Sequence, residues 1–214
     1  MRFEKRTFKN GLRCVVSTMK DTQTATLWAL FGTGSKYEIK KTNGISHFLE
    51  HLFFKGTKSR PKPGQVWEEL DRIGAQKNAF TSKEYTGYYV KAAAKHFDIG
   101  LDVVSDILLE PLFKKEEIEK ERGVILQEIA MYEDNPQRQA YELFEDLMYG
   151  DQPAGWDISG SPETVKNIKR DDILKYKNSH YHASNAVVAV AGNIDPEVAF
   201  VKVERAFKSM TDGR

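Results

Sequence analysis

Apolar positions along the chain switch between a period of two and a period of about 3.6, and the switches mark out the elements. Residues 2 to 17 alternate around Asn10-Gly11, a pair that predicts a β-hairpin when it separates two short mixed runs. Residues 24 to 35 read as a buried strand closed by a glycine turn. The turn, Gly32-Thr33-Gly34-Ser35, lacks the spacing and the lysine of a phosphate loop. Residues 44 to 57, GISHFLEHLFFKGT, predict a helix, and a Gly-, Lys- and Pro-rich connection follows from Lys55 to Pro63. Val66, Leu70 and Ile73 then keep helical spacing as far as Gly74, a natural stop. Residues 78 to 93 are rich in Phe, Thr, Tyr and Val and predict one or two strands.

In the second half of the chain the helical period dominates. Phe97, Leu101, Val104 and Leu108 share one face of an amphipathic helix that Pro111 ends. A long charged helix runs roughly from Lys115 to Tyr132, with Ile118, Ile125 and Ile129 as its apolar stripe. Asp134-Asn135-Pro136 breaks it, and residues 137 to 150 form another helix before a loop. Ser161-Pro162-Glu163 starts a helix that is expected to continue through Tyr176, because Pro at the first helical position gives up no hydrogen bond. An almost wholly apolar strand of the buried type follows at residues 185 to 194, and a last helix covers residues 196 to 210. The order predicts an α+β fold, a mainly antiparallel sheet with helices packed on one face. No repeat, low-complexity segment or linker divides the chain, so one domain over residues 1–214 is expected.

Candidate chemistry concentrates in the helix at residues 44 to 57. His47 and His51 are four apart and share a helix face, and Glu50 stands beside them, an H-x-x-E-H arrangement. Two histidines at this spacing also occur by chance, as exposed polar residues or as core histidines satisfied by hydrogen bonds. Against that stands the setting among Leu49, Leu52, Phe53 and Phe54, where unpartnered polar groups cost on the order of 1–3 kcal/mol each. A divalent metal of the zinc type resolves the cost, and it needs a third protein ligand and an open position for water. Glu121 and Glu128, seven apart on the long charged helix, lie almost on one line and can face the same site.

Composition narrows the function classes without naming one. Lys+Arg 32 against Asp+Glu 31 leaves a net charge of +1, so no nucleic-acid or anionic-membrane partner is implied. No apolar run approaches the roughly 18 residues that span a bilayer. A single cysteine, Cys14, excludes an internal disulfide and a thiolate metal site, and is expected to be buried. The first residues carry no apolar signal region, and a cytoplasmic protein is expected. Trp28, Trp67 and Trp156 read as packing residues. Glu117, Glu119 and Glu133 read as surface charges, and His180-Tyr181-His182 as a surface loop.

HFLEHLFFKGT, NAFTSKEYTGYY and ERGVILQEIAMYEDNP together resemble the inverzincin metallopeptidases that include pitrilysin, the insulin-degrading enzyme and the mitochondrial processing peptidase. The opening hairpin, GTGSKYE and AVVAVAGNID fit as well, so the resemblance covers almost the whole chain. It implies a third metal ligand 77 residues beyond the second histidine, a count that lands on Glu128. It further implies one Zn²⁺ per chain held by His47, His51 and Glu128, a zinc-bound water activated by Glu50, and Glu121 orienting a ligating histidine. Asn78, Ala79, Phe80 and Thr81 resemble the family's substrate-binding edge strand, and Phe54 a residue lining the pocket beside the scissile bond.

Members of the family usually work as two homologous halves around a closed chamber. The resemblance is to the metal-bearing half, so a homologous second half, in the same longer chain or a separate subunit, is the implied partner. The implied activity is zinc endopeptidase cleavage of small or unfolded polypeptides. The alternative is a non-catalytic assembly or binding subunit of the same fold. S-ribosylhomocysteine lyases carry a similar metal helix, but they lack the long-range glutamate and use a cysteine-assisted site.

Overall fold

The computed structural model describes residues 3–213, so the start of the predicted hairpin at residue 2 lies outside the described residues. Strand β1 (Glu4–Thr7) turns at Asn10-Gly11 into β2 (Arg13–Thr18), with Thr7 opposite Arg13. Strand β3 is Thr24–Phe31, and helix α1, Ile45–Leu52, carries the histidines. Helix α2 (Gln65–Arg72) leads into β4 (Gln76–Thr81) and β5 (Thr86–Ala93), so the Phe-, Thr- and Tyr-rich stretch forms two strands. Helices α3 (Phe97–Leu109), α4 (Lys115–Glu133) and α5 (Pro136–Tyr149) follow. The chain closes with α6 (Pro162–Asn167), α7 (Arg170–His180), β6 (Ala186–Gly192) and α8 (Pro196–Ala206).

The six strands form one sheet in the order β1-β2-β6-β3-β5-β4. Every pairing is antiparallel except β2 with β6, which is parallel. Cys14, Val16, Leu27, Phe31, Tyr88, Val90, Val188 and Val190 alternate onto one face and are buried there with apolar residues of α1, α3, α7 and α8. Burying one such Leu or Phe contributes about 1.5–3 kcal/mol. Helices therefore lie on one face of a mainly antiparallel sheet, as the element order predicts.

Several expectations are corrected. Strands β3 and β6 alternate between buried and half-exposed residues, because only one sheet face is covered by helices. The helix predicted from Ser161 through Tyr176 is two helices. Ile168 is extended and 1% exposed, its carbonyl accepts from Arg122 at 2.9 Å, and Asp172 accepts from the Lys169 amide at 2.9 Å to start α7. Tyr181 is a core residue, 4% exposed, with its hydroxyl 3.1 Å from that of Tyr88, and Glu117 is buried against Lys120 at 2.8 Å.

Helix α5 is turned against the usual pattern. Its half-buried positions are Arg138, Gln139, Glu142 and Glu145, whereas Tyr141, Leu143, Phe144, Leu147 and Met148 face outward. Leu147 is 82% exposed.

Candidate metal centre

Helix α1 is fixed before its histidines are reached. Gly44 precedes it with φ +94°, and a Cβ there would lie 2.5 Å from the Ser159 carbonyl, so only glycine fits. The Glu38 carboxylate, 4% exposed, accepts from the amides of Gly44 (2.7 Å) and Ser46 (2.8 Å) and from the Asn43 side chain (2.9 Å). It satisfies amides that a helix start leaves without intrahelical partners. Burial holds the Glu38 carboxyl above its ordinary range, against those hydrogen bonds, which pull it down. Ile45, Phe48, Leu49 and Leu52 bury the opposite side of α1, and that packing turns His47 and His51 toward α4 and Glu50 toward β4.

Helix α4 brings the other half of the site. Ile118, Ile125 and Ile129 anchor it in the core, which presents Glu121 and Glu128 to α1. His47 Nε2 lies 3.7 Å and His51 Nε2 3.5 Å from Glu128 Oε2. The three ligand atoms lie within 4.8 Å of one another, forming a group of metal-binding type among the described residues. Tetrahedral zinc with bonds of about 2.0–2.1 Å holds its ligand atoms roughly 3.3 Å apart, so small side-chain movements close this set on an ion. Two imidazole nitrogens and one carboxylate oxygen also suit zinc, whereas calcium and magnesium call for oxygen ligands.

The protonation states agree with a ligand set. Burial, followed by the neighbouring His51, pushes His47 down to about 4 against the pull of Glu128 and Asp157, leaving the neutral imidazole that binds metals. His47 Nδ1 is buried with no hydrogen-bond partner among the described residues. His51 Nδ1, by contrast, lies 3.3 Å from Glu121 Oε2, and Lys55 Nζ holds the other Glu121 oxygen at 2.7 Å. Burial alone would raise the Glu121 carboxyl, but its bonds to His51 and Lys55 outweigh that and hold it low.

Glu50 stands beside the ligand set, half-buried, with Oε2 accepting from the Thr81 hydroxyl at 2.6 Å. Burial raises its pKa, the Thr81 bond and His51 offset part of the rise, and Glu128 adds to it. Asn78, Ala79, Phe80 and Thr81 lie in β4, which ends the sheet and, among the described residues, pairs only with β5. Phe54 is stacked on Trp67 at 4.7 Å, so it packs against the core's edge. Cys14 is 0% exposed in β2, and burial pushes its thiol up to about 12 despite Arg6, so it is no nucleophile.

Sequence reasoning missed three groups around the site. Lys55 on Glu121 and Tyr132, whose hydroxyl donates to Glu128 Oε1, each stand four residues after a site residue, a helical spacing that signals a shared face. Arg138, with its guanidinium carbon 3.3 Å from the Tyr132 ring centroid, comes from the next helix and leaves no such signal.

The model of the insulinase family, peptidase family M16, matches residues 14–161. The chain belongs to peptidase family M16. The model of the M16 inactive domain matches residues 167–213, which contribute β6 between β2 and β3, so both matched stretches build one sheet. The chain is 40% identical over 204 residues to the uncharacterized zinc protease YmxG of Bacillus subtilis, covering 95% of this chain and 49% of that protein. It is 35% identical over 207 residues to the mitochondrial-processing peptidase subunit beta of Caenorhabditis elegans, covering 97% and 45%. The crystal structure of a protease from Helicobacter pylori superposes with a TM-score of 0.94 at 29% identity, covering 98% of this chain and 51% of that one. The M16 chain spans about half the length of the curated relatives it matches. No helix among the described residues is long and apolar enough to cross a membrane.

Proposed function

We propose that this chain is the metal-bearing half of a zinc endopeptidase that hydrolyses peptide bonds in small or unfolded polypeptides. The observation that carries this is the convergence of His47, His51 and Glu128 within 4.8 Å, with Glu50 on the next turn beside them. The relatives named as zinc proteases and processing peptidases support it. His47 and His51 offer their Nε2 atoms and Glu128 its Oε2, and Glu121 fixes the ring of His51 from behind. A bound zinc ion supplies Lewis-acid polarisation of the scissile carbonyl and acidifies the attacking water.

The proton work belongs to the chain's own residues. Glu50, steadied by Thr81, takes the proton of the attacking water and passes it to the leaving amine. The free edge of β4 lies beside that carboxylate, since Thr81 is its last residue, and it takes an extended peptide as an added strand. The second half of the enzyme is a homologous domain. The outward apolar side of α5 and the half-length coverage of the relatives support such a partner.

A non-catalytic assembly or binding subunit is the second reading, favoured by the match of residues 167–213 to an inactive domain. The two separate in one experiment, zinc content with fluorogenic peptide cleavage in the presence of the second half. An endopeptidase loses zinc with Glu128→Ala, and keeps zinc but loses cleavage with Glu50→Gln. Zinc uptake with no cleavage by the parent protein supports the assembly subunit.

A further inference from the structure

Glu128 is a flexible side chain on which the ligand set depends, and its terminal torsion is broad. Its two oxygens have different surroundings. Oε2 faces the Nε2 atoms of His47 and His51, at 3.7 Å and 3.5 Å, while Oε1 accepts from the Tyr132 hydroxyl. Tyr132 stands one turn further along α4 and has only two side-chain torsions to fix. The Arg138 guanidinium carbon stands over its ring, 3.3 Å from the centroid, at cation–π distance. Arg138 is anchored in turn by its Nε on Glu142 Oε1 at 2.5 Å, and Gln139 Nε2 holds the other Glu142 oxygen at 3.2 Å. A continuous line of contacts therefore runs from α5 to the outer oxygen of Glu128.

We propose that Tyr132, clamped by Arg138, is a positioning residue that restricts Glu128 to a one-oxygen ligand. This rests on the metal reading of the site. A carboxylate with both oxygens free can chelate through both, and the second oxygen then competes for the position that water or a substrate carbonyl needs. A hydroxyl donating to Oε1 occupies that oxygen and aims Oε2 at the ion. Tyr132 touches neither substrate nor metal in this scheme, and it acts through Glu128.

The test uses the metal-free chain titrated with Zn²⁺ against a chromophoric chelator, and with Co²⁺ followed by its visible absorption. Tyr132→Phe removes only the hydroxyl. It is expected to lower zinc affinity about ten- to a hundredfold, the usual effect of losing a group that orients a ligand. The cobalt band is expected to weaken as coordination rises above four, with the metal-free melting temperature unchanged. Arg138→Gln leaves the hydroxyl and removes the clamp, so the same changes are expected with smaller size. It also decides the matter if Tyr132→Phe folds poorly. Unchanged zinc affinity and cobalt spectrum in Tyr132→Phe, or in a Tyr132→Phe that misfolds together with an unaltered Arg138→Gln, overturn the proposal. A parent chain that takes up no metal overturns the metal reading itself, a failure distinct from variants that bind as the parent does.

Discussion

His51 and Glu121 join α1 to α4 through one hydrogen bond, Nδ1 to Oε2 at 3.3 Å, on the side of the ring away from Glu128. This bond selects the tautomer whose Nε2 lone pair points into the ligand set. Glu121→Gln keeps the shape and removes the charge. Zinc affinity measured by chelator competition should fall about tenfold or more. An unaltered affinity would assign Glu121 to Lys55 alone.

Glu38 holds the start of α1 with three hydrogen bonds, from Gly44, Ser46 and Asn43. Glu38→Ala strands those buried donors at a cost of about 1–3 kcal/mol. For a domain of this size, thermal melting should drop by about 2–4 °C for each kcal/mol lost. The effect should be present in the metal-free protein, which distinguishes it from loss of a ligand.

Cys14 gives a pH prediction that does not involve the metal centre. Burial pushes its thiol up to about 12, so at pH 8 the folded chain holds it protonated, and alkylation requires the thiolate. Iodoacetamide should leave the native protein unmodified by mass spectrometry and label it after denaturation. Rapid labelling of the native chain would contradict the packing of β2.

The outward side of α5 bears on pairing. The chain by itself is expected to cleave a fluorogenic peptide poorly, and to gain activity when the homologous second half is supplied. Leu147→Lys, placed on that side at 82% exposure, should leave melting within about 2 °C, since surface substitutions seldom exceed ±0.5 kcal/mol, while weakening the activation. Full cleavage by a monomer in analytical ultracentrifugation would remove the need for a partner.

Much of the fold was legible in the sequence because it depends on short-range rules. Asn10-Gly11 marked the first hairpin, and the stripe of Ile118, Ile125 and Ile129 marked α4. The break at Ile168 was not legible. Its cause is long-range, a carbonyl taken by Arg122 and a side chain drawn into the core, and helical spacing on either side continues without interruption. Tyr181 was misplaced for the same kind of reason, its polar neighbours outweighing the apolar pocket that receives it.

The site divides along the same line. Spacing alone put His47, Glu50 and His51 on one face of a helix, since 3.6 residues per turn is a property of the backbone. The resemblance to a known family named Glu128, and no periodicity can reach across 77 residues. Only the packing of α4 on α1 brought its carboxylate to the two imidazoles, and only tertiary structure gave each oxygen of Glu121 and Glu128 its own partner. A hydrogen bond between elements depends on where both backbones end up, and that is decided by the burial of the apolar faces behind them rather than by the polar residues themselves.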